Sequence, residues 1–237
     1  MFNKLKEKRI ELFVFLIYVV GYILISAFHE PWFDEAQAWQ IAKCANIKDI
    51  LFEIPHYEGH PPLWHLILAI PAKLGVPFEI GLKGVGFVIS SLSVFLLLFR
   101  TKLPRYIKLL LPFSYFFFYQ YGVIVRPYCL TLLTMILLGM NYDKWNIHPW
   151  RIVFLLSFLC LTCAYGIVLA GGIAICLVLD VIQEKGFIRF FCDLFKDQRT
   201  QALLLLLVFA IVLILDIIPR TDTYSPIINE KTLFWFA

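Results

Sequence analysis

The stretch Lys4-Leu5-Lys6-Glu7-Lys8-Arg9-Ile10-Glu11-Leu12-Phe13-Val14-Phe15-Leu16-Ile17-Tyr18-Val19-Val20-Gly21-Tyr22-Ile23-Leu24-Ile25-Ser26-Ala27-Phe28 sets the reading of the chain. A basic start precedes an apolar run, Ile10 to Phe28, of 19 residues. At a helical rise of about 1.5 Å per residue this run reaches about 28 Å, close to the thickness of a bilayer core. No small-residue cleavage site follows, so the run reads as an uncleaved membrane helix and not as a signal peptide. Of 237 residues, 61% are hydrophobic, 17% aromatic and only 16% charged, and the mean hydropathy is +0.80. A soluble domain has no aqueous interior large enough for that excess, which predicts an all-α integral membrane protein. The same balance excludes a nucleic-acid-binding domain, a disordered tail and a disulfide-stapled secreted module.

Further apolar runs cover Val85 to Phe99, Ile107 to Tyr121, Ile124 to Met140, Ile152 to Ile167, Val168 to Ile182 and Ala202 to Ile218. Basic residues crowd the N-terminus, Arg100 to Lys108, the gap holding Lys144 and Arg151, and the stretch Lys185 to Arg199. With all of these cytoplasmic, 14 of the 21 Lys and Arg residues lie on one side, as the positive-inside rule prefers. That predicts about seven transmembrane helices, a cytoplasmic N-terminus and a multi-pass protein of the cell membrane. Leu63 to Leu74 is apolar too, but prolines at 61, 62, 71 and 77 bracket or interrupt it, and counting it as a crossing would put Arg100 to Lys108 outside. It reads as lying along the membrane surface or re-entering it, and Leu63, Leu66, Ile67, Ile70 and Leu74 on one face suit an interfacial helix, with His65 and Lys73 on a thin polar side. The residues from His29 to about Gly84 then form a long first extracytoplasmic loop with juxtamembrane helices, and a fourth outer loop runs from Pro219 to Lys231. The whole chain, 1–237, reads as one membrane domain. It stops at Phe234-Trp235-Phe236-Ala237 just as another apolar run begins, so the expectation is a fragment or a missing last helix.

The first outer loop carries Glu30, Asp34, Glu35, Asp49, Glu53 and Glu58 against Lys43 and Lys48 up to the prolines. In Pro31-Trp32-Phe33-Asp34-Glu35-Ala36, Pro31 suits a helix start, and Asp34 and Glu35 then sit where the helix dipole favours carboxylates. A solvated helix start flanked by tryptophan anchors accounts for the same residues. In Tyr57-Glu58-Gly59-His60-Pro61-Pro62-Leu63-Trp64, a carboxylate and an imidazole flank a glycine ahead of a rigid Pro-Pro, a turn able to hold a metal or a phosphate-linked group. Asp34, Glu58 and His60 are candidate ligands for a divalent cation, without the fixed spacing of a closed site. Arg126, in Val125-Arg126-Pro127-Tyr128, stands where the chain re-enters the membrane, and a charge there calls for an anionic partner. Asp34, Glu35, Glu58 or the phosphate of a lipid ligand would serve, and snorkelling to the headgroups is the alternative. Tyr165 and Gly166 mark another outer helix end.

Taken in order, Phe33-Asp34-Glu35-Ala36, Tyr57-Glu58-Gly59-His60-Pro61-Pro62-Leu63, Arg126-Pro127-Tyr128 and Thr162 to Gly166 resemble the GT-C superfamily of polytopic membrane glycosyltransferases. The resemblance is to bacterial relatives of the protein O-mannosyltransferases and of the lipid A aminoarabinose transferase, and its motifs span residues 33 to about 172. It implies a polyprenyl-phosphate-linked sugar donor, a lipid, glycan or protein acceptor, and transfer on the extracytoplasmic face. By position, Asp34 would be the catalytic carboxylate and Glu35 would orient it or the acceptor. Glu58 and His60 would correspond to the residues ahead of the Pro-Pro, and Arg126 to the arginine after the third span. Tyr57, Tyr128 and Tyr165 would join the substrate-binding set.

Such chemistry needs a base for the acceptor and positive charge for the departing phosphate. Asp34 and Arg126 supply them; Glu35 and Glu58 leave inverting and retaining routes both open. An apolar groove between the Leu63 to Leu74 helix and the spans would hold the prenyl tail. The readings from other classes are a non-catalytic relative, a transporter or flippase for a lipid-linked saccharide, and a structural or assembly subunit.

Overall fold

Residues 8–221 are described by a computed structural model, and every regular element among them is helical. Lys4, Lys6, most of the expected fourth outer loop and the terminal run Phe234 to Ala237 lie outside the described residues. Four helices are long and apolar enough to cross a membrane: α1 (Arg9–Phe28), α6 (Phe78–Arg100), α10 (Ala164–Lys185) and α12 (Gln198–Ile217). Their outward faces carry large exposed apolar side chains, among them Phe13, Leu24, Val88, Ile175 and Val212. Water would not tolerate so continuous an apolar surface, and a bilayer requires it, so these helices fit a membrane protein.

Between α1 and α6 run four shorter helices, α2 (Phe33–Cys44), α3 (Ile47–Phe52), α4 (Ile54–Glu58) and α5 (Leu63–Lys73). The α5 helix packs along α2 and buries Trp64, His65, Leu68, Ala69 and Ala72, leaving Ile70 and Leu74 exposed. His65 therefore does not lie on a thin polar side, as expected, but in the packed face at 4% exposure. Lys73 instead turns its ammonium to the Ala45 carbonyl (2.6 Å), meeting the negative end of α2.

After α6, the run Ile107 to Tyr121 does not form a continuous helix. It divides into α7 (Arg105–Leu110), a 3₁₀ turn at Leu111–Phe113 and a π-helix at Phe116–Val123. Pro112 has no N–H to continue the ladder, and the Ser114 hydroxyl takes over by donating to the Leu111 carbonyl (2.9 Å) and accepting from Phe117 N–H (3.4 Å). The π-helix ends where the Tyr22 hydroxyl donates to the Gly122 carbonyl (3.1 Å). Then follow α8 (Tyr128–Asn141), α9 (Pro149–Thr162), α10, α11 (Phe187–Cys192) and α12. The break between the fifth and sixth apolar runs falls at Cys163, not at Ile167. Thr162 donates to the Leu159 carbonyl (2.8 Å), Cys163 is extended, and α10 starts beneath them.

Polar contacts sort the connections to two ends of the bundle. At one end Lys8 donates to the Phe99 carbonyl (2.9 Å), Arg105 grips Glu11 through two bonds (2.9 and 3.1 Å), and Lys102 meets Asp143 (2.6 Å). Arg199 joins them there, bonded to Asn146 (2.9 Å) and Glu184 (2.6 Å). At the other end lie α2 to α5, the turn Ile124 to Pro127 and the junction at Cys163. The last turn of α12 is fastened to that end by a hydrogen bond between His56 Nδ1 and the Ile218 carbonyl (2.8 Å) and by the Arg220–Glu53 pair (2.6 Å). Three buried apolar clusters hold the bundle: α9 with α10 and α12, then α2 and α5 with α6 and α8, then α1 with α6 and the π-helix.

Gly166 is the tightest point of the first cluster's upper edge, because a Cβ there would run into the Leu159 backbone carbonyl and the Thr162 hydroxyl. Gly166→Ala is expected to cost about 2 kcal/mol by overpacking, read as a lower unfolding temperature of the detergent-solubilised protein. Gly171→Ala, where nothing lies within 4 Å of an added Cβ, serves as the neutral control.

Candidate functional site

The local chain path brings the acidic helix start against the arginine turn. Glu35, three residues after Trp32, reaches back to accept from the Trp32 backbone N–H (2.8 Å), which fixes the first turn of α2. The same carboxylate accepts from Val125 N–H (2.7 Å) and is paired with His29 Nε2 (3.0 Å), and it is 1% exposed. It faces the interior, away from the cleft. The residues on either side of this anchor are thereby set opposite each other: Asp34, one residue before Glu35, and Arg126, one residue after Val125, form an ion pair of 3.0 Å. The Asp34 carboxylate is half-exposed and the arginine about a quarter exposed. The Arg126 guanidinium also lies over the Tyr128 ring, 5.1 Å from its centroid.

Around this pair is a cleft of about 200 Å³ lined by Asp34, Gln37, Glu58, His60, His65 and Arg126, with Ala38, Trp64, Pro127 and Thr162 completing the wall. Glu58 arrives at the end of α4, where Gly59 takes a left-handed conformation (φ 63°) that turns the chain towards His60 and the Pro-Pro. Gln37 donates to Glu58 (2.7 Å) from the next turn of α2 after Asp34. Burial pushes the Glu58 carboxyl up from its ordinary range; the Gln37 hydrogen bond opposes this, and the nearby Asp34 charge adds to it. Burial pushes the His60 imidazole down, helped by Arg126 and opposed by Asp34. His65 is pushed down to about 4, by burial first and by His60 second. Both shifts favour the uncharged imidazole. Each has a buried Nδ1 without a hydrogen-bond partner among the described residues, a shortfall on the order of 1–3 kcal/mol per group unless something in the cleft satisfies it.

Of the residues singled out in the sequence, Asp34, Glu58, His60 and Arg126 meet in this cleft. Glu35 stands behind it as the anchor. Tyr128 and Tyr165 extend from Arg126 as neighbouring rings, 6.3 Å between centroids, with Tyr121 on the other side of Tyr128 at 5.8 Å. Tyr57 lies outside the cleft on α4, beside the Arg220–Glu53 pair. Gln37 and His65 are cleft residues that sequence reasoning missed, and Thr162, which opens the fourth motif, lines the cleft as well. Gln37 was accessible in principle, one helical turn after Asp34 and so on its face. As for a cation, no three His, Cys, Asp or Glu side chains among the described residues converge as ligands. Asp34 is occupied by Arg126 and Glu58 by Gln37, so Asp34, Glu58 and His60 line one cleft without fitting a protein-only metal site.

No family model matches the chain, and neither a curated protein nor a solved structure matches it.

The two adjacent acids carry opposite expectations. Glu35→Ala removes the acceptor for two backbone N–H groups and for His29, and is expected to cost on the order of 3 kcal/mol of stability. Asp34→Asn breaks a half-exposed pair and is expected to cost under about 1 kcal/mol. Thermal unfolding of both variants in the same detergent separates the anchor from the cleft residue.

Proposed function

We propose that this chain is a membrane glycosyltransferase that moves a sugar from a polyprenyl-phosphate-linked donor to a lipid, glycan or protein acceptor, with Asp34 as base. The observation that carries this reading is the Asp34–Arg126 pair at the mouth of a polar cleft, in a protein otherwise sheathed in apolar helices. Only a substrate that is itself part lipid and part polar has an evident use for both surfaces. The resemblance of the Asp34, Glu58, His60 and Arg126 motifs to the GT-C superfamily supports the same assignment.

In the reaction, the donor phosphate takes the Arg126 guanidinium from Asp34, an exchange of one oxyanion for another in a fork that suits both. Asp34, released from its cation, accepts the proton of the acceptor hydroxyl as the acceptor oxygen bonds to the anomeric carbon. The bond from that carbon to the phosphate oxygen breaks, and the phosphate leaves with its negative charge on Arg126. Apart from donor and acceptor, the step needs no co-reactant. An apolar groove of about 470 Å³ between α5 and α6, lined by Ile67, Ile70, Ile80, Val85 and Val88, suits the prenyl tail. It lies on the outward side of the same α5 helix that sends Trp64 and His65 into the cleft.

We further propose seven crossings of the cell membrane, the four long helices together with the shorter stretches at Arg105–Val123, α8 and α9. The N-terminus would be cytoplasmic and the cleft extracytoplasmic. Cys44 is exposed beside the cleft end and Cys192 is exposed at the basic end. A membrane-impermeant maleimide applied to intact cells is expected to label Cys44 and to reach Cys192 only after lysis; the reverse pattern inverts the topology.

The activity test compares a deletion strain carrying wild-type protein with strains carrying Asp34→Asn or Arg126→Gln at matched membrane levels, by mass spectrometry of glycolipids, glycans and glycoproteins. One glycan species is expected to disappear in the deletion and return with the wild type. Its rate of formation should fall on the order of 10²–10⁴-fold with Asp34→Asn, the usual range for loss of a general base. Full restoration by Asp34→Asn removes the enzyme reading and favours a transporter or flippase.

A further inference from the structure

The feature left over by that reaction is His65. It is 4% exposed, it lines the cleft, and its Nδ1 has no hydrogen-bond partner among the described residues. His60, five residues earlier and across the Pro-Pro turn, lines the same cleft and has a buried Nδ1 with no partner either. Natural proteins rarely leave one buried ring nitrogen unsatisfied, and here two such rings line one cleft. The cleft, at about 200 Å³, far exceeds the roughly 10–15 Å³ that one water needs.

We propose that His60 and His65 form a neutral hydrogen-bonding subsite that grips the hydroxyl groups of an uncharged sugar. This rests on the glycosyltransferase reading and deepens it by naming the sugar's chemical class. A neutral imidazole offers one N–H donor and one lone pair, and a sugar hydroxyl, which both donates and accepts, complements both. An anion would instead need donors and positive charge, which the cleft supplies at Arg126 and not at the histidines. The cleft thus divides its ligand: phosphate to Arg126, sugar hydroxyls to the imidazoles. The α5 helix enforces this, because Trp64, Leu68, Ala69 and Ala72, buried on the same face, hold His65 in place.

The test measures equilibrium binding to the full chain in nanodiscs by calorimetry. The probes are a C55 polyprenyl phosphate and its glucosyl, mannosyl and galactosyl phosphodiesters. Wild-type protein is expected to bind at least one glycoside about ten-fold more tightly than the bare phosphate, the equivalent of roughly one well-made neutral hydrogen bond. His65→Phe should lose that increment, keep its affinity for the bare phosphate and unfold at the wild-type temperature or above. His65→Gln, which restores a donor and an acceptor, should recover part of it. A His65→Phe protein that keeps the increment overturns the proposal and leaves only an ordered water at the imidazole. Equal loss of both affinities by His65→Phe and His65→Gln also overturns it, in favour of a packing role. Wild-type protein that binds the phosphate but prefers no glycoside overturns the subsite alone; wild-type protein that binds none of the four lipids overturns the donor reading and the subsite with it.

Discussion

The carboxylate of Glu35 is the constraint on which the described architecture turns. One buried side chain accepts from the backbone of Trp32, from the backbone of Val125 and pairs with His29. Those contacts tie the exit of α1, the start of α2 and the turn before α8, the longest of them spanning 90 residues of chain. A charge sunk this deep is tolerated because its oxygens meet fixed donors, and breaking any of them would expose the desolvation cost of the rest. The stability of the pairing and the placement of the cleft are in this sense one property. Asp34 and Arg126 face each other because their neighbours in sequence are locked together.

In the proposed reaction the adjacent acids divide the labour that a single carboxylate cannot perform. A structural acceptor has to be buried, saturated with donors and unable to move. The proposed base has to exchange partners and reach its substrate. Glu35 has the first set of attributes and Asp34, half-exposed and held by one arginine, has the second. Consecutive residues at the start of a helix point about 100° apart, which is enough to send one inward and the other into the cleft.

Asp34, Glu58, His60 and Arg126 were legible in the sequence because charge at the rim of an apolar chain is conspicuous, and the structure gathers these four. The role of Glu35 was not legible: its decisive partner is a backbone N–H at Val125, and backbone groups leave no mark on side-chain composition. His65 was misassigned because a helical-face argument sorts residues by polarity, whereas α5 buries its tryptophan and histidine against α2 and turns isoleucine and leucine outward. That inversion is natural where the surroundings are lipid. The stretch from Ile107 to Tyr121 read as one continuous helix because hydropathy sums side chains and ignores Pro112, whose missing N–H breaks the ladder. The break at Cys163 was displaced by four residues for a similar reason, since Gly166 marks the close approach of α10 to a carbonyl and not the end of an apolar run.

The π-helix at Phe116–Val123 closes its hydrogen bonds five residues apart instead of four, so it stores one residue more than an α-helical path of the same rise. Removing that residue would let the segment relax into ordinary helix of the same rise, with the chain beyond it kept in register. Val125 would stay against Glu35 and Arg126 against Asp34. In evolutionary terms, the π-helix is a place where the spacing between Ser114 and Arg126 can gain or lose one residue without dismantling the anchor. In the α-helical spans the same change would turn everything after it by roughly 100°.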